Sequence, residues 1–123
     1  MSNLTDPHAG STLRRRLRPV LVFVALTLGA ASCAQAPELP EGADASLVQG
    51  REVWLARCAT CHGPDGGGGT GPRLNEGRVL EAYDSVEDQI PIVRDGKGNM
   101  PSFSSILTAE EIEAVVRYTR EAL

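Results

Sequence analysis

The sequence predicts an all-α domain of three to five short helices joined by one long glycine-rich loop. Three observations lead there. Apolar residues recur at helical spacing behind N-capping residues, most clearly after Thr108. No stretch of useful length alternates apolar and polar residues as a strand would. Residues 63–77 hold seven glycines and two prolines with little periodicity, which marks a loop.

The first helix is expected from Ser46, which stands with Gln49 at capping-box spacing. Leu47, Gly50, Trp54 and Cys58 then share one face. This helix leads directly into a cysteine motif. The GGGG run in the following loop has no GKS or GKT after it and no strand before it, so it is not a phosphate cradle. A short helix is expected over 78–83, and another over 86–94 capped by Ser85. Pro91 lies inside the latter and removes an interior hydrogen bond, so that helix should kink or begin late. The last helix has a capping box, Thr108 with Glu111. Leu107 and Ile112 occupy its hydrophobic-staple positions. Ile112, Val115, Val116 and Thr119 follow on one face, with Tyr118 beside Val115.

The chain has 123 residues, enough for one small domain and a short extra segment. It is 41% hydrophobic but has only five aromatics, and Phe23 lies in an N-terminal apolar run. Trp54, Tyr83, Phe103 and Tyr118 are left for the domain. Such a core is thin, and small domains usually need a staple or a bound group.

The N-terminal third reads as a separate unit. Arg14, Arg15, Arg16 and Arg18 precede an apolar run from Val20 to Ala31, and small residues follow. This is the order of an export signal over residues 1–33. The run is shorter than the roughly 20 apolar residues of a membrane-spanning helix. Residues 34–44, AQAPELPEGAD, read as a Pro/Ala/acidic linker without a core-facing pattern, and residues 45–123 as the domain. Without the first 33 residues, eight basic and fifteen acidic residues remain. That balance excludes nucleic acid as a partner, because a phosphate backbone demands positive charge. It favours partners with a basic or neutral docking face.

Cys58, Ala59, Thr60, Cys61 and His62 spell C-x-x-C-H. On one helical turn two thiols reach the two vinyl groups of one haem, and the adjacent imidazole points at the iron. A redox-active dithiol would need a βαβ context, which is missing. A structural zinc site needs four ligands, and this segment offers three with no second cluster. The expected cofactor is therefore a single covalent haem c (heme c) attached through Cys58 and Cys61. His62 is the only histidine after the N-terminal segment, and Met100 the only methionine there. A second imidazole from the same chain is thus impossible. Met100, within Gly98-Asn99-Met100-Pro101, is the expected second axial ligand, and Lys97 is the alternative under alkaline conditions.

From Ala45 to Leu123 the chain resembles the class I c-type cytochrome family, the monohaem cytochrome c family. Gly50 and Trp54 match its glycine and aromatic before the first cysteine, and Cys58, Cys61 and His62 its attachment motif. Thr70, Gly71, Pro72 and Leu74 match its T-G-P-x-L segment. The resemblance implies that the Pro72 carbonyl accepts the bond from the ligating His62. Met100 and Pro101 match the distal ligand loop. Val115 and Tyr118 match the C-terminal helix face that crosses the first helix at Gly50. Pro91 departs from the family's uninterrupted helix. The resemblance implies the all-α cytochrome c fold, with its helices wrapped around one haem.

Two strong axial ligands leave no open iron position, so the expected function is one-electron transfer rather than catalysis. The expected partners are redox proteins: an oxidase, a quinol-cytochrome c reductase or a dehydrogenase. A fixed electron-relay subunit of such a complex and a haem-based gas sensor are the other readings. The chain is expected to be monomeric and exported to the periplasm or the extracytoplasmic side of a membrane. Cys33 follows Ala30, Ala31 and Ser32 in a pattern like a lipobox, so lipid anchoring through Cys33 is expected. The other reading is cleavage just after it. Fractionation of the parent and Cys33→Ser proteins should find only the parent in membranes, with an acylated Cys33 by mass spectrometry. An unmodified N-terminus beyond residue 33 in a soluble fraction would defeat the anchor.

Overall fold

The structure, a computed structural model, describes residues 34–123. The export-signal and lipidation readings, Cys33 included, lie outside the described residues. The described residues form α-helices with no strand, and one isolated bridge joins Lys97 and Met100. The elements are α1 (Ala45–Val53), a π turn (Trp54–Cys58), α2 (Ala59–His62), α3 (Arg78–Ala82), α4 (Val86–Asp95) and α5 (Ala109–Glu121). The all-α expectation holds.

Helix α1 begins before the expected Ser46. Asp44 is its N-cap, and its carboxylate accepts the Leu47 N–H at 2.8 Å. The reason is tertiary. The same carboxylate takes the Arg117 guanidinium of α5 at 3.0 Å, so one side chain caps α1 and ties it to the last helix. The bond from Arg117, then that from Leu47, holds the Asp44 carboxyl below its ordinary value. The depressed value means the tie is intact at neutral pH and is lost as pH falls through it.

The apolar faces read from the sequence meet in one core. Leu47, Trp54, Ile112, Val115, Val116 and Tyr118 are all buried there. The staple residues Leu107 and Ile112 join it. Helices α1 and α5 cross at Gly50, where backbone meets backbone. A Cβ on Gly50 would overlap the Ala114 carbonyl and stand 2.9 Å from Tyr118 Cβ. Only glycine permits so close a crossing.

Helix α4 starts at Val86 behind a full Ser85/Asp88 capping box and runs through Pro91 to Asp95. The late start expected from Pro91 does not occur. Proline removes the bond its N–H would give the Glu87 carbonyl. The helix is held at both ends instead. Gln89 donates to Thr119 Oγ1 at 2.8 Å, and Arg120 donates to the Ser85 carbonyl at 3.3 Å. The N–H groups of Phe103 and Ser104 cap the Arg94 carbonyl at 3.2 and 3.1 Å.

The 34–44 segment has more contact with the core than its composition implied. Leu39 and Ala43 pack against the core, and Arg51 Nε donates to the Pro37 carbonyl at 3.3 Å. Among the described residues no helix is long and apolar enough to cross a membrane.

Replacing Gly50 by alanine should cost about 3 kcal/mol, as overpacking of a closed contact does. Denaturant melts of the haem-loaded protein check this. A loss below about 0.5 kcal/mol, the range of ordinary surface substitutions, would mean that the crossing is not tight.

Candidate functional site

The cysteine motif is reached through the π turn. The Ala59 N–H donates to the Trp54 carbonyl, five residues back. This inserts one residue between the α1 face and the motif, and π bulges of this kind recur at functional sites. The turn leaves Cys58 buried and Cys61 exposed. Burial, and after it the neighbouring Cys61, push the Cys58 thiol up to about 12. Cys58 is thus held neutral. A neutral thiol disfavours a nucleophilic dithiol here. No group of three or more metal-ligating side chains of the His, Cys, Asp and Glu type lies together among the described residues.

The glycine-rich loop folds back over the end of α2. Gly68 N–H donates to the His62 carbonyl at 2.7 Å and Gly71 N–H to the Cys61 carbonyl at 2.8 Å. These bonds satisfy carbonyls that a helix end leaves orphaned. The loop then brings the Pro72 carbonyl to 2.9 Å from His62 Nδ1. A carbonyl only accepts, so the proton sits on Nδ1 and the Nε2 lone pair is free for a metal. Gly71 seats the ring from below. A Cβ there would lie 2.8 Å from both Nδ1 and Cε1 of His62. Trp54 holds the loop from the other end, donating through Nε1 to the Pro64 carbonyl at 2.8 Å.

Met100 is positioned by a second glycine loop. Lys97 and Met100 exchange backbone bonds at 3.2 and 3.0 Å. Gly96, at φ 81°, makes the turn, and a Cβ on it would meet Pro101 C and Ser102 N at 2.8 Å. Ser102 Oγ donates to the Arg94 carbonyl at 2.6 Å, locking the loop to α4.

These pieces enclose one cavity of about 530 Å³. Cys58, Cys61, His62, Pro72 and Met100, all singled out in the sequence, line it together. Its other walls are mostly carbon, from Leu74, Ile92, Val93, Phe103 and Val115 among others. Size and lining fall within the range of cofactor sites, roughly 300–1,000 Å³. Two thiols, an imidazole with Nε2 available and a thioether facing one apolar cavity fit haem c. One feature escaped the sequence reading. Gln89 and Thr119 form a buried polar pair on the wall, and Thr119 donates onward to the Val116 carbonyl at 2.8 Å. Thr119 looked like one more member of an apolar face. Gln89 could have been found from its place between Val86 and Val93 on the inner side of α4.

Solved structures share this architecture. A crystal structure of cytochrome c6C from Synechococcus sp. PCC 7002 aligns with a TM-score of 0.50 at 36% identity, over 59% of this chain and 92% of that one. Cytochrome c6 of Leptolyngbya boryana is 36% identical over 76 residues, which is 60% of this chain and 89% of the relative. The cbb3-type cytochrome c oxidase subunit FixP of Azorhizobium caulinodans is 34% identical over 90 residues, 66% of this chain but only 31% of that protein. Residues 45–118 match the family model described as cytochrome C oxidase, cbb3-type, subunit III. The chain belongs to that family and is a class I monohaem c-type cytochrome.

The seat under His62 generates a test. Gly71→Ala should force the imidazole off the Pro72 carbonyl and cost about 2 kcal/mol of stability. Denaturant melts read the loss, and the absorption spectrum of the loaded protein reads the ring. Parental values in both would show that the ring does not rest on Gly71.

Proposed function

We propose that this chain is a one-electron carrier with a covalently attached haem c, working outside the cytoplasm. The carrying observation is the convergence of Cys58, Cys61, Met100 and a His62 fixed by Pro72 on one apolar cavity. Haem, when bound, supplies a one-electron iron couple. Cys58 and Cys61 would hold it as thioethers, and His62 Nε2 and the Met100 sulfur would ligate its iron. The Pro72 carbonyl accepts the hydrogen bond from Nδ1–H and so orients Nε2 toward the metal. A methionine ligand would raise the potential. The carbon-lined walls exclude water. Two strong ligands leave no place for substrate, so the protein is not an enzyme by itself.

Residues 1–33 are proposed as an export signal of lipoprotein type, with Cys33 as the anchor of the 45–123 domain. A lipid anchor would confine the carrier to a surface and raise its effective concentration near membrane complexes. With Leu39 and Ala43 laid on the core, the anchored domain sits close to that surface.

A second reading has its own support. The matching family is described as an oxidase subunit, and FixP carries the same description in its name. A chain held permanently in such a complex would relay electrons rather than shuttle them. Co-purification with an oxidase through several columns would favour the relay, and recovery as a free monomer the shuttle.

Ligation is tested by Met100→Ala. The reduced potential of the variant should fall, and its iron should take carbon monoxide. If spectrum, potential and carbon monoxide response match the parent, Met100 is not the ligand.

A further inference from the structure

Three polar residues are buried among the described residues: His62, Gln89 and Thr119. All three line the same cavity. His62 stands there as a ligand. Gln89 and Thr119 are instead bonded to each other. Gln89 Nε2 donates to Thr119 Oγ1 at 2.8 Å, and Thr119 Oγ1 donates to the Val116 carbonyl at 2.8 Å. This is the one buried hydrogen bond between two side chains among the described residues. On the same two helices the wall is otherwise hydrocarbon, from Ile92 and Val93 on α4 and Val115 on α5.

Holding the helices together does not account for the pair. The net contribution of one buried hydrogen bond is small, and two apolar groups of the same shape can serve as well or better. The start of α4 is already tied to α5 by Arg120. That guanidinium donates to the Tyr83, Asp84 and Ser85 carbonyls at 3.1, 3.2 and 3.3 Å. It also stands 3.5 Å from Gln89 Oε1, so both ends of the amide are held. What the pair adds is a fixed polar group in a carbon-lined site.

We propose that Gln89 and Thr119 set the reduction potential of the bound haem, holding it below that of the same cavity walled by carbon alone. The inference rests on the electron-carrier reading and adds the residues that rank the carrier among its partners. The proposed occupant gains one positive charge when it gives up its electron. Hydrocarbon does little for that charge, whereas fixed polar groups in a dry site stabilise it. The direction of the hydrogen bonds acts in the same sense. The single hydroxyl proton of Thr119 goes to Val116, so the hydroxyl has only its oxygen left to offer. A lower potential narrows the donors that can reduce the protein and widens the acceptors that it can reduce.

The test titrates the haem-loaded chain and its variants against a one-electron mediator of known potential, and records each absorption spectrum. The paired replacement Gln89→Leu with Thr119→Val should raise the equilibrium constant for reduction about threefold, read as an upward shift at about 59 mV per tenfold. Thr119→Val alone removes the hydroxyl oxygen and strips Gln89 of its acceptor, so it should shift upward too. Thr119→Ser keeps the hydroxyl and should match the parent. All variants should retain the parental low-spin spectrum. A double variant with the parental potential or a lower one overturns the proposal. Equal shifts in Thr119→Ser and Thr119→Val overturn it as well, since packing and not the hydroxyl would then matter. A changed spectrum would mean that the pair only holds a ligand in place, which also overturns it. If the double variant takes up no haem, the comparison of valine with serine at 119 decides alone. A parent without a reversible one-electron couple overturns the carrier reading instead.

Discussion

The crossing of α1 and α5 at Gly50 is the constraint on which the other parts depend. It is a backbone contact, since a Cβ would collide with the Ala114 carbonyl and crowd Tyr118. From that point α1 leads through the π turn to the cysteine motif, and α5 sends Val115 and Thr119 to the cavity wall. Trp54 and Tyr118 meet beside the crossing with ring centroids 6.0 Å apart. Asp44 and Arg117 add a charged tie on the outside. Widening the crossing would therefore move two walls of the site at once. In a closely packed interior such a shift is not absorbed locally.

The remaining walls are loops without regular structure, and glycine is what makes them usable. Gly71 leaves room for the His62 ring, and Gly96 lets the chain turn tightly ahead of Met100. Each loop is then fixed by bonds to the end of a helix. The glycine-rich loop caps α2 through Gly68 and Gly71, and the 102–104 stretch caps α4 at Arg94. Two helix C-termini with spare carbonyls thus serve as anchor points for the two segments that carry the proposed ligands' surroundings.

Local signals in the sequence were sufficient for most helices. The Thr108/Glu111 and Ser85/Asp88 boxes involve residues three apart, and both form. The buried face of Leu47, Gly50, Trp54 and Cys58 also followed from spacing. What escaped depended on distant partners. Asp44 displaced Ser46 as N-cap because Arg117, far along the chain, shares it. Leu39 appeared to be a linker residue until the core was there to receive it. The π turn has no periodic signature of its own, since one inserted residue hardly disturbs a spacing pattern this short. The candidate site was legible for a different reason. C-x-x-C-H is a contiguous chemical motif, and the scarcity of histidine and methionine left few choices for the rest.

The π turn, Gly50 and the motif all lie early in the described chain, whereas Val115 and Thr119 come near its end. These contacts need both parts of the chain, so none of them can form before α5 has been synthesised. During vectorial synthesis the motif therefore becomes accessible well before the last wall exists. The thiols are reachable on an open chain and become enclosed only when α5 arrives. The order of elements along the polypeptide thus acts as a clock, leaving both thiols open until the final helix docks.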